Sequence, residues 1–183
     1  MKRLILLRHA KSAWDNAELS DAARPLSKRG KRTAPLMGHL MAREGFVPDL
    51  ILCSTAKRSV QTMKRVLDAC GGHPAHDTLD ELYMATPREI LTTVFARAGH
   101  ADKVLVIGHN PGLGDLAAWM VNDGDPSAIK RLKEKFPTAA FAVIDLPIDN
   151  WCDVDDTETD NWNGRLIRFA TPKELAEGEA GDE

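Results

Sequence analysis

Long hydrophobic runs are what this chain lacks most plainly. At the N-terminus the apolar run after Lys2 and Arg3 is only four residues, Leu4–Leu7, too short for a signal-peptide core, and no later segment approaches the roughly 20 residues that cross a bilayer. A basic excess is also missing. The 183 residues carry a formal net charge of -3, which argues against an electrostatic grip on nucleic acid. Cysteine is scarce: Cys53, Cys70 and Cys152 are odd in number and show no CxxC spacing. That pattern fits reduced thiols in the cytosol better than a disulfide framework or a cysteine zinc site. The chain has no internal repeat and no linker long enough to divide it into separate domains. With 43% hydrophobic residues it can bury one good core. One domain over residues 1–183 is expected, cytoplasmic and monomeric, with no membrane or nucleic-acid partner.

What is present is alternation. Leu4–Leu7, Leu50–Cys53 and Val104–Ile107 are continuously apolar and of strand length, a pattern of strands buried on both faces. Between them Ala34, Met37, Leu40 and Met41 mark one helix face, and Ala56, Val60, Met63, Leu67 and Cys70 mark another. Thr86-Pro87-Arg88-Glu89 is a capping box with proline at the first helical position, followed by Ile90, Leu91, Val94 and Phe95. Asn110-Pro111 opens a further helix with Leu113, Leu116, Ala117 and Met120. Ala139–Leu146 and Arg165–Ala170 read as a late hairpin or edge pair, and Thr171-Pro172-Lys173-Glu174 caps a short last helix before a frayed acidic tail. These elements predict an α/β fold, a three-layer α/β/α sandwich around a mostly parallel central sheet.

In such sheets ligands bind at the carboxyl ends of the strands. The first strand runs into Arg8-His9, the second into Cys53-Ser54-Thr55 with Arg58 one helical turn on, and the fourth into Gly108-His109-Asn110-Pro111-Gly112. Two arginines and two histidines therefore converge on one edge. Guanidinium forks suit phosphate oxygens, and helix N-termini after Ser54 and Asn110 add positive dipole ends. A neutral imidazole among them can attack phosphorus and become phosphohistidine. Protein cations would then carry the charge of the transferring group, so neither metal nor cofactor is expected.

The segments "RHAKSAWD", "CSTAKRSVQT" and "IGHNPG" resemble the histidine phosphatase superfamily, the phosphoglycerate-mutase-like enzymes. "RHAKS", "RPLSKRGKR" and "PDLILCSTAKRSVQT" look like its SixA-type phosphohistidine phosphatase branch, and the resemblance covers nearly the whole chain. It implies that His9 is the nucleophile, that Arg8, Arg58 and His109 surround the phosphoryl group, that Ser12 can contact phosphate, and that Glu81 in "LDELYMATP" stands where mutase-like members keep the acid that protonates the leaving group. Two positions depart from the family: Ala10 replaces a frequent glycine, and Asp15 a frequent asparagine, where a carboxylate would repel phosphate.

The expected activity is hydrolysis of a phosphorylated substrate through phospho-His9. A protein phosphohistidine fits the compact chain, whose short segment after the third strand leaves little lid. A small phosphoester, such as a sugar phosphate or nucleotide, uses the same chemistry, and a phosphoprotein-binding module that hardly turns over is the reading from another class. His39, His73, His76 and His100 lack partners at ligand spacing and read as surface residues. The acidic stretch 145–160 lacks the sixth-position glycine of a calcium loop and reads as a solvated connection, with Trp151 and Trp162 as candidate walls of a pocket mouth. Cys53 reads as a packing thiol.

Overall fold

Leu4–Leu7, Leu50–Cys53 and Val104–Ile107 lie side by side at the centre of one sheet. The computed structural model describes residues 1–153 and 162–179. In chain order its strands are β1 Lys2–Arg8, β2 Leu50–Ser54, β3 Ala75–Leu79, β4 Lys103–Gly108, β5 Val121–Gly124, β6 Phe141–Leu146 and β7 Gly164–Ala170. They pair in the order β3-β2-β4-β1-β6-β7-β5. Strand β6 runs antiparallel to both its neighbours, and every other pairing is parallel. The helices are α1 Lys28–Arg43, α2 Lys57–Cys70, α3 Pro87–Arg97, α4 Gly112–Met120, α5 Pro126–Glu134 and α6 Pro172–Glu179.

Alternation along the central strands sends side chains to two cores. Leu4, Leu6, Leu52, Val104 and Val106 face α3, α4 and α5. Ile5, Leu7, Ile51, Cys53, Leu105 and Ile107 face α1 and α2. The sheet is thus sandwiched between helical layers, as the sequence predicts. The capping box is in place: Thr86 Oγ1 accepts from the Glu89 amide while Glu89 accepts from the Thr86 amide. Among the described residues no helix is long and apolar enough to cross a membrane.

Several details differ from the sequence reading. The β6–β7 pair exists, but β6 lies inside the sheet against β1, and β5 extends beyond β7. β5 is only four residues, "VNDG", with one buried side chain, so it carries no hydrophobic signal. Strand β3 is likewise an edge strand whose first four residues are exposed. Helix α4 starts at Gly112, after a cis Asn110–Pro111 bond, so both residues belong to the loop. There the chain passes so close to the Ala85 carbonyl that only glycine fits at residue 112. The buried face of α2 is Arg58, Ser59, Thr62, Met63 and Val66, turned from the apolar stripe read in the sequence toward a polar first turn. Trp151 and Trp162 are core residues. Trp151 donates to the Ala101 carbonyl at 2.7 Å, and Trp162 stacks on Phe95 with centroids 6.2 Å apart. Much of the acidic connection, residues 154–161, lies outside the described residues.

Candidate active site

Strand β1 delivers Arg8 as its last residue and His9 just past it. The register sets Arg8 opposite Gly108, while Cys53 pairs with Ile107, so β1, β2 and β4 end together. The His9 amide donates to the Gly108 carbonyl at 3.1 Å, and the Arg8 amide to that of Ala140 at 3.1 Å. Thr62 ties the next residue to α2: its Oγ1 accepts from the Ala10 amide at 3.0 Å and donates to the Arg58 carbonyl at 2.7 Å. The polar first turn of α2 therefore has a reason. It locks the loop bearing His9 to the helix bearing Arg58.

His9 is 7% exposed. Its Nδ1 lies 2.8 Å from the Ala10 carbonyl, which can only accept, so Nδ1 carries the hydrogen and Nε2 keeps its lone pair. Burial is the main cause that drives its pKa down to about 3, and the positive charges of Arg58 and Arg8 reinforce it. The ring is neutral at physiological pH. Arg58 donates from Nε to that lone pair at 3.2 Å.

His109 stands beside it, ring centroids 5.1 Å apart. Its Nδ1 faces Arg58 Nη2 at 3.3 Å and its Nε2 faces Ser54 Oγ at 2.8 Å. Guanidinium cannot accept, so here Nδ1 is the acceptor and Nε2 donates to Ser54. Burial, then Arg58, lowers its pKa to about 4. Arg8 donates from Nη1 to the Phe136 carbonyl at 2.9 Å, and Asn110 Nδ2 donates to the same oxygen at 2.9 Å. Arg8 Nε is buried without a protein partner among the described residues, a donor suited to an anion's oxygen.

One carboxylate enters this cationic group. Asp21 Oδ2 accepts from Arg58 Nη2 at 2.8 Å and from the Tyr83 hydroxyl at 2.7 Å, and its Oδ1 accepts from Arg24. Its backbone carbonyl takes Arg58 Nη1 at 2.6 Å. The Tyr83 hydroxyl, followed by the arginines, holds the Asp21 pKa well below the usual carboxylate range. Arg24 in turn lies over the Trp14 ring, 3.4 Å from its centroid.

These side chains line a cavity of about 390 Å³. It brings together Arg8, His9, Ser12, Arg58 and His109, five of the residues read from the sequence. It does not include Glu81. The 3-10 turn Asp80–Leu82 buries Leu82, and the chain then presents Tyr83 to the cavity. Glu81 is exposed and faces Arg97 at 3.8 Å. Asp15 is exposed and does not line the cavity. His39, His73, His76 and His100 are exposed. Cys53 is fully buried, and burial pushes its thiol up to about 12, as befits a packing residue.

Sequence reasoning missed Asp21, Arg24, Tyr83 and Trp14. A signal existed: Trp14 lies within "RHAKSAWD", Arg24 opens "RPLSKRGKR", and Tyr83 adjoins "LDEL". Nothing in their spacing shows that the loop before α1 and the segment after Leu82 meet at Arg58.

Comparison with known proteins places the chain in a family. The sequence profile of the histidine phosphatase superfamily (branch 1) matches residues 4–86. The Mycobacterium tuberculosis protein Rv1276c is 34% identical over 152 residues, spanning 81% of this chain and 92% of its own. A crystal structure from Agrobacterium tumefaciens, assigned as a phosphohistidine phosphatase, SixA, superposes with a TM-score of 0.75 at 31% identity, covering 93% of this chain and 98% of that one. A 2,3-bisphosphoglycerate-dependent phosphoglycerate mutase of Leifsonia xyli is 40% identical over 68 residues, 36% of this chain and 27% of the mutase. The chain belongs to the histidine phosphatase superfamily, within its SixA-type branch, and is a phosphatase by that membership.

Proposed function

We propose that the chain hydrolyses a phosphorylated protein, phosphohistidine foremost, through a covalent phosphohistidine on His9. The carrying observation is the tautomer of His9. Nδ1 is committed to the Ala10 carbonyl, which leaves Nε2 as an unprotonated nucleophile held beside two arginines. An incoming phosphoryl oxygen takes over the Arg58 Nε hydrogen and frees the lone pair. Nε2 then attacks phosphorus, the bond to the leaving group breaks, and that electron pair departs with the leaving group. Arg8 and Arg58 hold the equatorial oxygens in the transition state. Ser54 Oγ can donate as well as accept. His109 can therefore shift its hydrogen to Nδ1 and bond a phosphoryl oxygen without stranding Nε2. Water next attacks the phosphorus of phospho-His9, the P–N bond breaks, its electron pair returns to Nε2, and the water's two protons leave on the dihydrogen phosphate. Arg8, Lys11, Arg24 and Arg58 line the cavity, so the proposal routes no step through a metal.

The test is covalent labelling. Incubation with a ³²P-labelled phosphohistidine peptide or with an aryl phosphate, followed by rapid quench, should trap an acid-labile, base-stable label on His9. His9→Ala should lose the label and at least about 10³-fold in kcat/KM. Binding without label in the wild type would mark a phosphoprotein reader instead, and turnover surviving within tenfold in His9→Ala would remove the nucleophile. A higher kcat/KM on sugar phosphates or nucleotides than on phosphohistidine would transfer the same chemistry to a small-molecule phosphatase.

A further inference from the structure

Asp21 is out of place in an anion pocket. Among the described residues lining the cavity it is the one carboxylate, set against Arg8, Lys11, Arg24 and Arg58. Charge repulsion alone would select against it facing a phosphate dianion. Its position suggests what offsets that cost. The Arg58 guanidinium lies between the two groups, with Nε on His9 and Nη2 on Asp21. Asp21 therefore sits one guanidinium away from His9 and on its solvent side, its side chain 46% exposed against 7% for His9, the side toward which a departing group must leave the cavity.

The carboxylate also retains capacity. A carboxylate has about four acceptor positions, and the protein uses three, from Tyr83, Arg58 and Arg24. The Asp21 side chain is 46% exposed. Trp14, 71% exposed, lines the same cavity, and Arg24, which donates to Asp21, lies against its ring. A carboxylate with a free acceptor next to an exposed indole is a combination that recognises a flat, cationic nitrogen ring.

We propose that Asp21 and Trp14 form a leaving-group subsite for a protonated nitrogen heterocycle, and that this subsite makes the enzyme prefer P–N over P–O substrates. The inference rests on His9 being the nucleophile, as proposed above, and adds how the leaving group is selected. In a phosphorylated imidazole the second ring nitrogen carries a hydrogen when the ring is cationic. Asp21 accepts a hydrogen bond from that N–H and so holds the ring protonated. As His9 Nε2 bonds to phosphorus, the P–N bond breaks and its electron pair stays on the departing nitrogen. The ring leaves neutral with its one N–H, and the enzyme supplies no proton. This also accounts for catalysis in a site that Glu81 does not reach. A phosphomonoester has no such cation, so for it Asp21 is only a repulsive wall.

The test compares free phosphohistidine with p-nitrophenyl phosphate on the full chain. In Asp21→Asn the ratio of kcat/KM, phosphohistidine over aryl phosphate, should fall at least tenfold. The alkaline limb of kcat for phosphohistidine should also move to lower pH, because kcat reports groups in the bound complex. Asp21→Glu, which keeps the carboxylate, should restore the ratio. Trp14→Ala, made at an exposed ring, should lower the same ratio in a variant with an intact core. A ratio that stays within twofold of wild type, with both substrates slowed alike and the alkaline limb unmoved, would overturn the subsite and leave Asp21 as a positioning residue for Arg58. Labelling of His9 keeps the two readings apart. Absent label defeats the nucleophile, whereas normal label with an unchanged ratio defeats only the subsite.

Discussion

Arg58 Nε donates to His9 Nε2 across 3.2 Å, so the guanidinium proposed to bind phosphate also occupies the lone pair proposed to attack it. On that proposal, substrate and nucleophile compete for the same hydrogen, and binding of the anion and unmasking of the nucleophile are one event.

Arg58→Lys should show how much of this depends on the fork. Lysine keeps the charge but cannot serve His9, His109, Asp21 and an oxygen from one plane. We expect kcat/KM on an aryl phosphate to drop by about 10²-fold or more, roughly 3 kcal/mol of transition-state stabilisation, with Arg58→Ala lower still. A lysine variant within threefold of wild type would mean that charge alone suffices.

Acid should weaken the fold before it silences the nucleophile. His9 and His109 are held at about 3 and about 4, against 6.5 for an unperturbed histidine. Both folded values lie below the unfolded one, so below pH 6.5 the unfolded chain takes up protons that the native site refuses. Their share of stability is complete above that pH and drains away as pH falls toward 4 and then 3. Asp21, held below its ordinary 3.8, adds to the loss at lower pH still. Thermal melts from pH 8 to pH 4 should show a falling Tm, less steep in His9→Gln. A flat Tm between pH 7 and 4.5 would contradict the burial argument.

Thr62→Val replaces a hydroxyl by a methyl of similar size. It strands the buried amide of Ala10, the residue after His9. The expected cost is about 1–3 kcal/mol in a urea titration, with a loss in kcat because the loop carrying His9 is no longer tied to α2. Stability reduced with kcat intact would show that the tie serves folding alone.

Glu81→Gln tests the acid suggested by family resemblance. The side chain is exposed and faces Arg97 rather than the cavity, so kcat/KM should stay within about threefold at pH 7. A hundredfold fall, with its alkaline limb lost, would return Glu81 to the chemistry.

The central strands and the helices α1, α3 and α4 were legible because burial on two faces leaves continuous apolar runs, and because caps such as Thr86–Glu89 are local. Edge strands β3 and β5 were not: one exposes four of its five residues and the other has one buried side chain. The same division runs through the site. Arg8, His9, Arg58 and His109 stand directly at strand ends or one helical turn beyond, where chain order predicts position. Asp21, Arg24 and Trp14 come from the loop before α1, whose path is set by tertiary contacts such as Lys57 N–H to the Ala22 carbonyl at 2.9 Å. Tyr83 replaces Glu81 at the cavity because a three-residue 3-10 turn, Asp80–Leu82, rotates the chain. No periodicity encodes that rotation.

Strand β6 alone opposes its neighbours, so it begins where they finish. The approach to it, residues 136–140, therefore reaches the cavity rim from the far side, and the Phe136 carbonyl aims both Arg8 and Asn110. That acceptor belongs to the backbone. No change of side chain can delete it, and the aim of the first arginine can be altered only by displacing the peptide itself.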